Sequence, residues 1–400
     1  MSGTHPTRPG LNLLDGDWYA ADPHEVWRWM RRHAPVYHDE TADVWGIAKH
    51  EDVLAIEKDP ITFSSFRAPR PHGMHLPMMI SMDDPEHKAR RGLVNRGFTP
   101  RRIAEMEPKV AALCRGLVDR ISGVGSCDFV WDVAAPLPLM VIADLLGFDV
   151  AAHEDLLRWS DDPLRATTID PTPEQAKAGF DAMMGFRDFQ LDVIARRRVE
   201  PRDDLISKLC QAEIDGAALD DESIVNEALL ILIGGDETTR HVISGGMAAL
   251  LERPDALAEL AADPDLLPLA VEELLRWVSP VKNMARTATR DVELRGQQVR
   301  QGDQMMLFYP SANRDDEVFE RPDELDIHRH PNPHVAFGFG THFCLGAALA
   351  RLELRVMFRE ILTRLPDLAL ADAGALEYRP SNFVSGLESM PVRFTPTPAL

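Results

Sequence analysis

The stretch that decides the fold is FGFGTHFCLG, residues 337–346. It holds three glycines, three phenylalanines and one cysteine, Cys344. It lies within residues 330–350, which carry no Lys, Arg, Asp or Glu although 27% of the chain is charged. The sequence that follows, LGAALARLELRVMFREIL, repeats apolar residues at helical spacing. The pattern therefore predicts one thiol in an apolar, flexible loop at the start of a helix.

Most free cysteines are small buried hydrophobes, but the surroundings of Cys344 favour another interpretation. A helix that begins just after Cys344 directs its N–H groups and positive dipole end at the sulfur, which favours the thiolate. Gly338 and Gly340 allow the backbone to turn tightly and to approach a flat ligand closely. With no second cysteine nearby, the residues indicate a soft thiolate ligand of iron, as in heme.

Composition and charge limit the classes of function. The formal charge of −21 argues against a nucleic-acid-binding protein, which needs basic surface. Four cysteines without a CxxC pair do not form a disulfide framework, so a reducing cytoplasm is expected. The N-terminus shows no signal peptide, and no segment is predicted to span or anchor in a membrane.

Helical periodicity dominates the chain, and strand-like runs are short. The segments HEVWRWMRRH, RRIAEMEPKVAALCRGLVDRI and LPLAVEELLRWV predict helices. Strands are expected near residues 44–48 and within 291–308, where Arg295-Gly296 and Gly302-Asp303 indicate turns. The predicted fold is mainly α, with residues 1–400 forming a single domain and small β-sheets at its margin.

Residues 220–251 predict a long helix that is apolar on every side, as a helix in a large core would be. Gly234 and Gly235 in its middle cost roughly 1 kcal/mol each relative to alanine. Acids and threonines follow at once in GGDETT. Such unfavourable local choices indicate either a functional site, or a kink or close helix crossing.

The stretch FGFGTHFCLGAALAR resembles the heme-binding signature of the cytochrome P450 family. The resemblance implies the cytochrome P450 fold, heme b as cofactor, Cys344 as the iron ligand, and a heme-contacting loop that includes Phe337, Gly338 and Gly346. In EELLR, Glu273 and Arg276 stand three apart on one helix face. With the cysteine loop downstream, this pair resembles the buried Glu–Arg pair of the family, and Arg329 is expected to be its third member.

The GGDETT segment resembles the oxygen-activation segment of the family. The resemblance implies that Glu237 and Thr238 are the acid and the alcohol that supply protons for cleavage of dioxygen. Asp236 is expected to be solvated or salt-bridged and not catalytic. The resemblance also implies cationic or hydrogen-bonding partners for the two heme propionates. The candidates are His87, Arg91, Arg286 and His342.

Three segments correspond by position to the substrate-contact segments of the family, and they are rich in methionine and other apolar residues. Core packing is the alternative interpretation for each residue. The segments are residues 75–82, 279–284 and 381–392. With the central helix they provide the candidate substrate contacts Met78, Met79, Ile233, Gly234, Val281, Phe383 and Val384.

Four stretches also resemble mycobacterial steroid monooxygenases: LPMMISMDDPEH, LLILIGGDETTRH, AFGFGTHFCLG and NFVSGLESMPV. This resemblance implies dioxygen-dependent oxidation of the terminal side-chain methyl of cholesterol or cholest-4-en-3-one. The alternatives are oxidation of another apolar substrate, such as a fatty acid or terpenoid, and a heme peroxygenase or rearrangement catalyst. A heme sensor or carrier is a further alternative, from another functional class.

The chain shows no flavin or nucleotide fingerprint of its own. Electrons are therefore expected from a separate protein, by family resemblance a ferredoxin with an NAD(P)H-dependent ferredoxin reductase. The segment HKARRGLVNRGFTPRR, residues 87–102, is basic in an otherwise acidic chain. It is a candidate docking patch for an acidic donor, or simply a set of propionate partners and ordinary surface charge.

Overall fold

The structure is a computed structural model that describes residues 6–73, 75–148, 153–166, 171–372, 374 and 376–398. The chain divides into two compact units, each built from separate segments. The first comprises residues 1–87, 272–344 and 378–385, and the second comprises residues 88–271, 345–377 and 386–400. The single domain expected from the sequence stays a prediction.

Helices make up most of the regular structure, as predicted. In chain order they are α1 Asp17–Ala20, α2 Pro23–His33, α3 His50–Lys58, α4 Glu86–Val94, α5 Pro100–Ser122, α6 Pro136–Leu146, α7 His153–Arg165, α8 Pro173–Val199, α9 Leu205–Cys210, α10 Asp221–Leu251, α11 Pro254–Ala262, α12 Leu267–Val278, α13 Tyr309–Ala312 and α14 Ala347–Arg364. The strands are β1 Val36–Asp39, β2 Val44–Ile47, β3 Phe63–Ser64, β4 Ser126–Asp128, β5 Glu213–Ile214, β6 Ala217–Ala218, β7 Met284–Ala288, β8 Val292–Leu294, β9 Gln297–Val299, β10 Gln304–Leu307, β11 Ala369–Leu370 and β12 Pro391–Arg393.

A five-stranded sheet with the order β1-β2-β10-β7-β3 organises the first unit. Strands β2 and β10 run parallel in its middle and are buried along their whole length. Successive side chains of a strand point to opposite faces, so this sheet contributes to two apolar clusters. Trp45 and Met305 join one cluster, whereas Val44 and Met306 join the other.

The predicted turn at Arg295-Gly296 connects β8 to β9. Both residues have positive φ, 49° and 81°, and Leu294 pairs with Gln297 across the hairpin. A two-residue loop of this kind matches the right-handed twist of the strands, and glycine adopts positive φ at no steric cost.

The long helix α10 belongs to the second unit and runs without interruption through Gly234 and Gly235. Its predicted start is confirmed, because the Asp220 side chain accepts a hydrogen bond from the backbone N–H of Ser223 at 2.7 Å. An added Cβ at Gly235 would lie 2.8 Å from the Ile142 side chain of α6. Gly235 therefore allows a close approach of α10 to α6.

The predicted Glu–Arg pair of the first unit is confirmed as fully buried and bidentate. Arg276 donates from Nε and Nη2 to the two carboxylate oxygens of Glu273, each at 2.7 Å. Arg329 donates from Nε to Glu273 Oε2 at 3.0 Å, as expected for a third member. The Arg276 guanidinium also donates to the carbonyls of Asn313, Pro322 and Glu324, at 2.8, 2.9 and 3.1 Å. The triad thus fixes the chain that leads to the cysteine loop.

We expect Arg276→Lys to lower the free energy of unfolding by about 2–3 kcal/mol, because lysine keeps the charge but cannot replace the bidentate pair and the carbonyl contacts. The matched control is Arg321→Lys, because Arg321 and Glu324 form a surface pair at the same three-residue spacing. Its effect should stay below about 1 kcal/mol. Denaturant unfolding followed by fluorescence measures both variants. Equal losses of unfolding free energy in the two variants would show that the buried triad stabilises the fold no more than a surface ion pair does.

Candidate functional site

The cysteine loop of the first unit is a tight, internally bonded turn. The backbone N–H of Cys344 donates to the carbonyl of Phe337 at 2.9 Å. Gly338 and Gly340 have φ of +66° and +68°, a region that other residues rarely adopt, and a short 3₁₀ turn spans Gly340–His342. The glycines predicted to shape the loop are therefore required by its backbone conformation.

Part of this loop is exposed. Cys344 is exposed, and the rings of Phe339 and Phe343 are 40% and 39% exposed. Phe337 is half-buried, and its ring centroid lies 6.2 Å from that of Phe343. Exposed phenylalanines beside an exposed thiol form an apolar surface of the kind that a flat macrocycle covers.

The other three cysteines are poorly suited to ligate iron as thiolates. Burial raises the pKa of the Cys114 thiol far above its usual value, and it raises the pKa of Cys127 to about 12. Burial also raises the pKa of Cys210. All three are neutral thiols at pH 7, so Cys344 is the best candidate for a metal-binding thiolate.

Three of the four predicted propionate partners lie in the first unit, and two of them are in contact. The rings of His87 and His342 are 4.2 Å apart between centroids, and His87 Nδ1 lies 3.4 Å from Asp84 Oδ1. Arg286 is buried in strand β7 and donates to Glu57 Oε1 at 3.2 Å. The fourth, Arg91, lies on α4 in the second unit. Gly346, which was predicted to contact heme, precedes α14 and also belongs to the second unit.

One face of α10 in the second unit is open around Gly234. Gly234 is exposed, and an added Cβ there would meet nothing within 4 Å. Ile233 and Thr238 are half-buried on either side. The Thr238 hydroxyl donates to the carbonyl of Gly234 at 2.9 Å, so its lone pairs remain oriented to accept a hydrogen bond from a ligand.

Glu237 is fully buried in the second unit between two basic residues of its own helix. Arg240 donates from Nη2 to Glu237 Oε1, and His241 Nε2 lies 3.3 Å from Oε2. Arg240 also donates to Asp161 Oδ1 at 3.0 Å, and Asp161 pairs with Arg165. The predicted acid is therefore part of a buried network of charged side chains.

Asp236 was expected to be either solvated or salt-bridged, and the structure shows that it is not solvated. Asp236 is fully buried in the second unit, and its carboxylate accepts a hydrogen bond from the Ser160 hydroxyl at 2.6 Å. Burial raises the pKa of Asp236 to about 7, although the charge of Arg240 opposes the shift. Burial and the charge of Asp236 together raise the pKa of Glu353 on α14 well above its usual value. The helix therefore carries a second buried acid, and burial disfavours the charged form of that acid.

Five of the candidate substrate contacts lie in the first unit and two lie in the second. Two of those in the first unit contact each other. In the first unit Val281 and Val384 form an isolated antiparallel bridge, and the ring of Phe383 lies 5.2 Å from the Arg70 guanidinium. Met78 and Met79 are buried, so their candidate role as substrate contacts stays a prediction. Ile233 and Gly234 lie on the open face of α10 in the second unit.

Sequence reasoning missed several residues of these two sites. Arg240 follows Glu237 at the same three-residue spacing as Arg276 follows Glu273, so the sequence carried a signal for this pair. The sequence signal for Glu57 was weaker. Glu57 lies one helical turn after Val53 of α3, at a position where an apolar residue is expected.

Comparisons with known proteins identify the family of the chain. The family model for cytochrome P450 matches residues 163–366. A steroid C26-monooxygenase of Mycobacterium tuberculosis is 49% identical over 98% of this chain and 99% of its own length. One of Mycolicibacterium smegmatis is also 49% identical, over 98% of each chain. A cytochrome P450 of Bacillus megaterium, crystallised with testosterone, has a TM-score of 0.87 and 34% identity, over 94% of this chain and 98% of its own.

The fold is that of the heme-thiolate cytochromes. The chain belongs to the cytochrome P450 family, as the sequence predicted. Heme b is the cofactor that the family implies. The residues of the loop fit this group, since Cys344 is an exposed thiol beside apolar rings that the protein leaves uncovered.

Across the part of the chain that the structure describes, no helix is long and apolar enough to cross a membrane.

Asp236→Asn should stabilise the protein at pH 8 and leave its stability unchanged near pH 3. The folded-state pKa of about 7 exceeds the ordinary 3.8, so ionisation increasingly destabilises the wild type as pH rises from about 4 to about 7. Above that range the wild type carries the whole penalty, at most about 4 kcal/mol. Unfolding midpoints at both pH values test this, with the exposed Glu107→Gln as control. A pH-independent difference would contradict it.

Proposed function

We propose that the protein hydroxylates the terminal methyl of the side chain of cholesterol or cholest-4-en-3-one, and then oxidises the same carbon towards the acid. In the first step the methyl group, dioxygen, two electrons and two protons give the primary alcohol and water. The observation that carries this proposal is the 49% identity, over nearly the whole chain, to relatives named steroid C26-monooxygenase.

Cys344 is the proposed ligand of the heme iron. Bound heme supplies the centre at which dioxygen is reduced and split, so that one oxygen atom enters the substrate and the other leaves as water. The apolar rings of Phe337, Phe339 and Phe343 would exclude water around the thiolate. His87, His342, Arg286 and Arg91 are the proposed partners of the heme propionates, because their side chains supply cationic or neutral N–H donors.

Glu237 and Thr238 are the proposed proton relay of the reaction. Two protons must reach oxygen for each substrate molecule, and a hydroxyl beside an ionised carboxylate can pass them on from water. The Thr238 hydroxyl is held by the Gly234 carbonyl, which fixes its orientation. Arg240 and His241 contact the two oxygens of the Glu237 carboxyl group and so hold it in place.

Electrons are proposed to come from a separate ferredoxin and its NAD(P)H-dependent reductase. The basic segment, residues 87–102, is less available for docking than its sequence indicates. Arg90 is buried with its Nε 3.9 Å from Glu227, whereas Arg101 and Arg102 pair with Glu105 and Asp203 at 2.8 and 2.9 Å. A donor that docks there would meet a partly neutralised surface.

Optical titration of the heme protein tests the substrate class. Cholest-4-en-3-one should displace the water ligand of the ferric iron and shift the Soret band at low micromolar concentration, whereas a long-chain fatty acid should need far more. With a reduced ferredoxin, dioxygen and the sterol, product analysis should show the side-chain alcohol and acid. A stronger shift and turnover with the fatty acid would overturn the steroid assignment in favour of the alternative apolar substrate.

Thr238→Ala should retain sterol binding but lower the yield of product per NAD(P)H consumed by roughly tenfold or more, with hydrogen peroxide released instead. The neighbouring Thr239→Ala, at a buried position, is the matched control and should keep its coupling. Measured NAD(P)H consumption, peroxide and product distinguish the variants. Full coupling in Thr238→Ala, together with turnover by peroxide alone, would favour a peroxygenase.

A further inference from the structure

Glu57 is a buried acid of the first unit, at a position of α3 where an apolar residue is expected. It lies in the last turn of α3 and is only 4% exposed. Its Oε1 accepts hydrogen bonds from the Tyr309 hydroxyl at 2.5 Å and from Arg286 Nη2 at 3.2 Å. Its Oε2 accepts from the backbone N–H of Phe339 at 2.7 Å. Three donors from distant parts of the sequence therefore converge on one carboxylate.

The end of α3 also shapes the cysteine loop through its backbone. An added Cβ at Gly340 would lie 2.4 Å from the carbonyl oxygen of Glu57, so any larger residue would clash with this turn of α3. The Lys58 ammonium lies 5.3 Å from the centroid of the Phe339 ring. Residues 339 and 340 are thus held by α3, only a few residues before Cys344.

The same carboxylate holds Arg286, one of the proposed propionate partners. Tyr309 completes the arrangement as a neutral donor, because burial, followed by the charge of Glu57, raises the pKa of its hydroxyl well above the usual value. Glu57 thus faces one cation and two neutral donors, and its charge balances the buried guanidinium.

We propose that Glu57 is a positioning residue of the heme site, which fixes the cysteine loop through Phe339 and orients Arg286 through an ion pair. Its negative charge also favours the ferric over the ferrous state of the heme and so lowers the reduction potential. This inference rests on the proposed assignment of Cys344 as the iron ligand.

Glutamine cannot replace Glu57, although it has the same shape. The carboxylate uses both oxygens as acceptors, whereas glutamine has one acceptor oxygen and one N–H₂ donor group. In Glu57→Gln the N–H₂ group must face either the N–H of Phe339 or the Arg286 guanidinium. At least one buried donor then loses its acceptor, and the charge of Arg286 is no longer balanced.

The test compares Glu57→Gln with Glu51→Gln, an exposed acid on the same helix. Transfer of heme to excess apomyoglobin should be roughly tenfold faster in Glu57→Gln than in wild type, because an unpaired buried donor weakens the loop. Its reduction potential, measured by spectroelectrochemical titration, should move in the positive direction. Glu51→Gln should match wild type in both measurements.

Glu57→Asp separates charge from fit, since it keeps the carboxylate but shortens its reach. We expect faster heme loss with a potential close to that of wild type. Loss of heme from Glu57→Gln during purification, with retention in Glu51→Gln, would also support the positioning role. Wild-type heme retention and potential in Glu57→Gln would overturn it. Absence of a thiolate-type spectrum in the wild type would instead refute the assignment of Cys344, which distinguishes the two failures.

Discussion

The buried carboxylate of Glu273 is the group on which the order of the first unit depends. It accepts from Arg276, Arg329, the side chain of Asn332 and the backbone of Asp326. A buried charge of this kind destabilises the fold unless every oxygen is paired, and here both oxygens have several donors. Because the two arginines also bind backbone carbonyls, the segment that leads to the cysteine loop has a defined path although it contains little regular structure.

Glu57 plays a corresponding part at the loop itself. Glu273 fixes the segment that precedes the loop, whereas Glu57 accepts a hydrogen bond from the backbone N–H of Phe339 within the loop. Under the proposed function, Cys344 and the neighbouring phenylalanine rings would contact bound heme, and burial of these rings against an apolar cofactor would be favourable. The support that Glu57 gives the loop would hold these side chains in place.

The sequence predicted the helices well because their apolar residues recur with a period of 3.6, as in α2, α5 and α12. Strands such as β3 and β11 have only two residues, too few to establish a period of two. The cysteine loop and the Glu–Arg pair were found because each has a short local motif.

Other parts of the sites depend on contacts between distant residues, which one sequence cannot reveal. Glu57 meets Arg286 and Phe339 across 229 and 282 positions of the chain. Asp236 was expected in solvent or in a salt bridge, yet its hydrogen bond comes from Ser160, 76 residues away. Arg240 is the exception, since its spacing from Glu237 is local and its pairing with that acid was predictable.

The central claim is that Cys344 binds the heme iron as a thiolate. The most direct measurement is the absorbance spectrum of the ferrous carbon monoxide complex, recorded for wild type, Cys344→Ser and serine variants of Cys114, Cys127 and Cys210. Wild type and the three control variants should show the red-shifted Soret band of thiolate ligation, and Cys344→Ser alone should lack it. A thiolate-type band in Cys344→Ser, or its absence from heme-loaded wild type, would contradict the account.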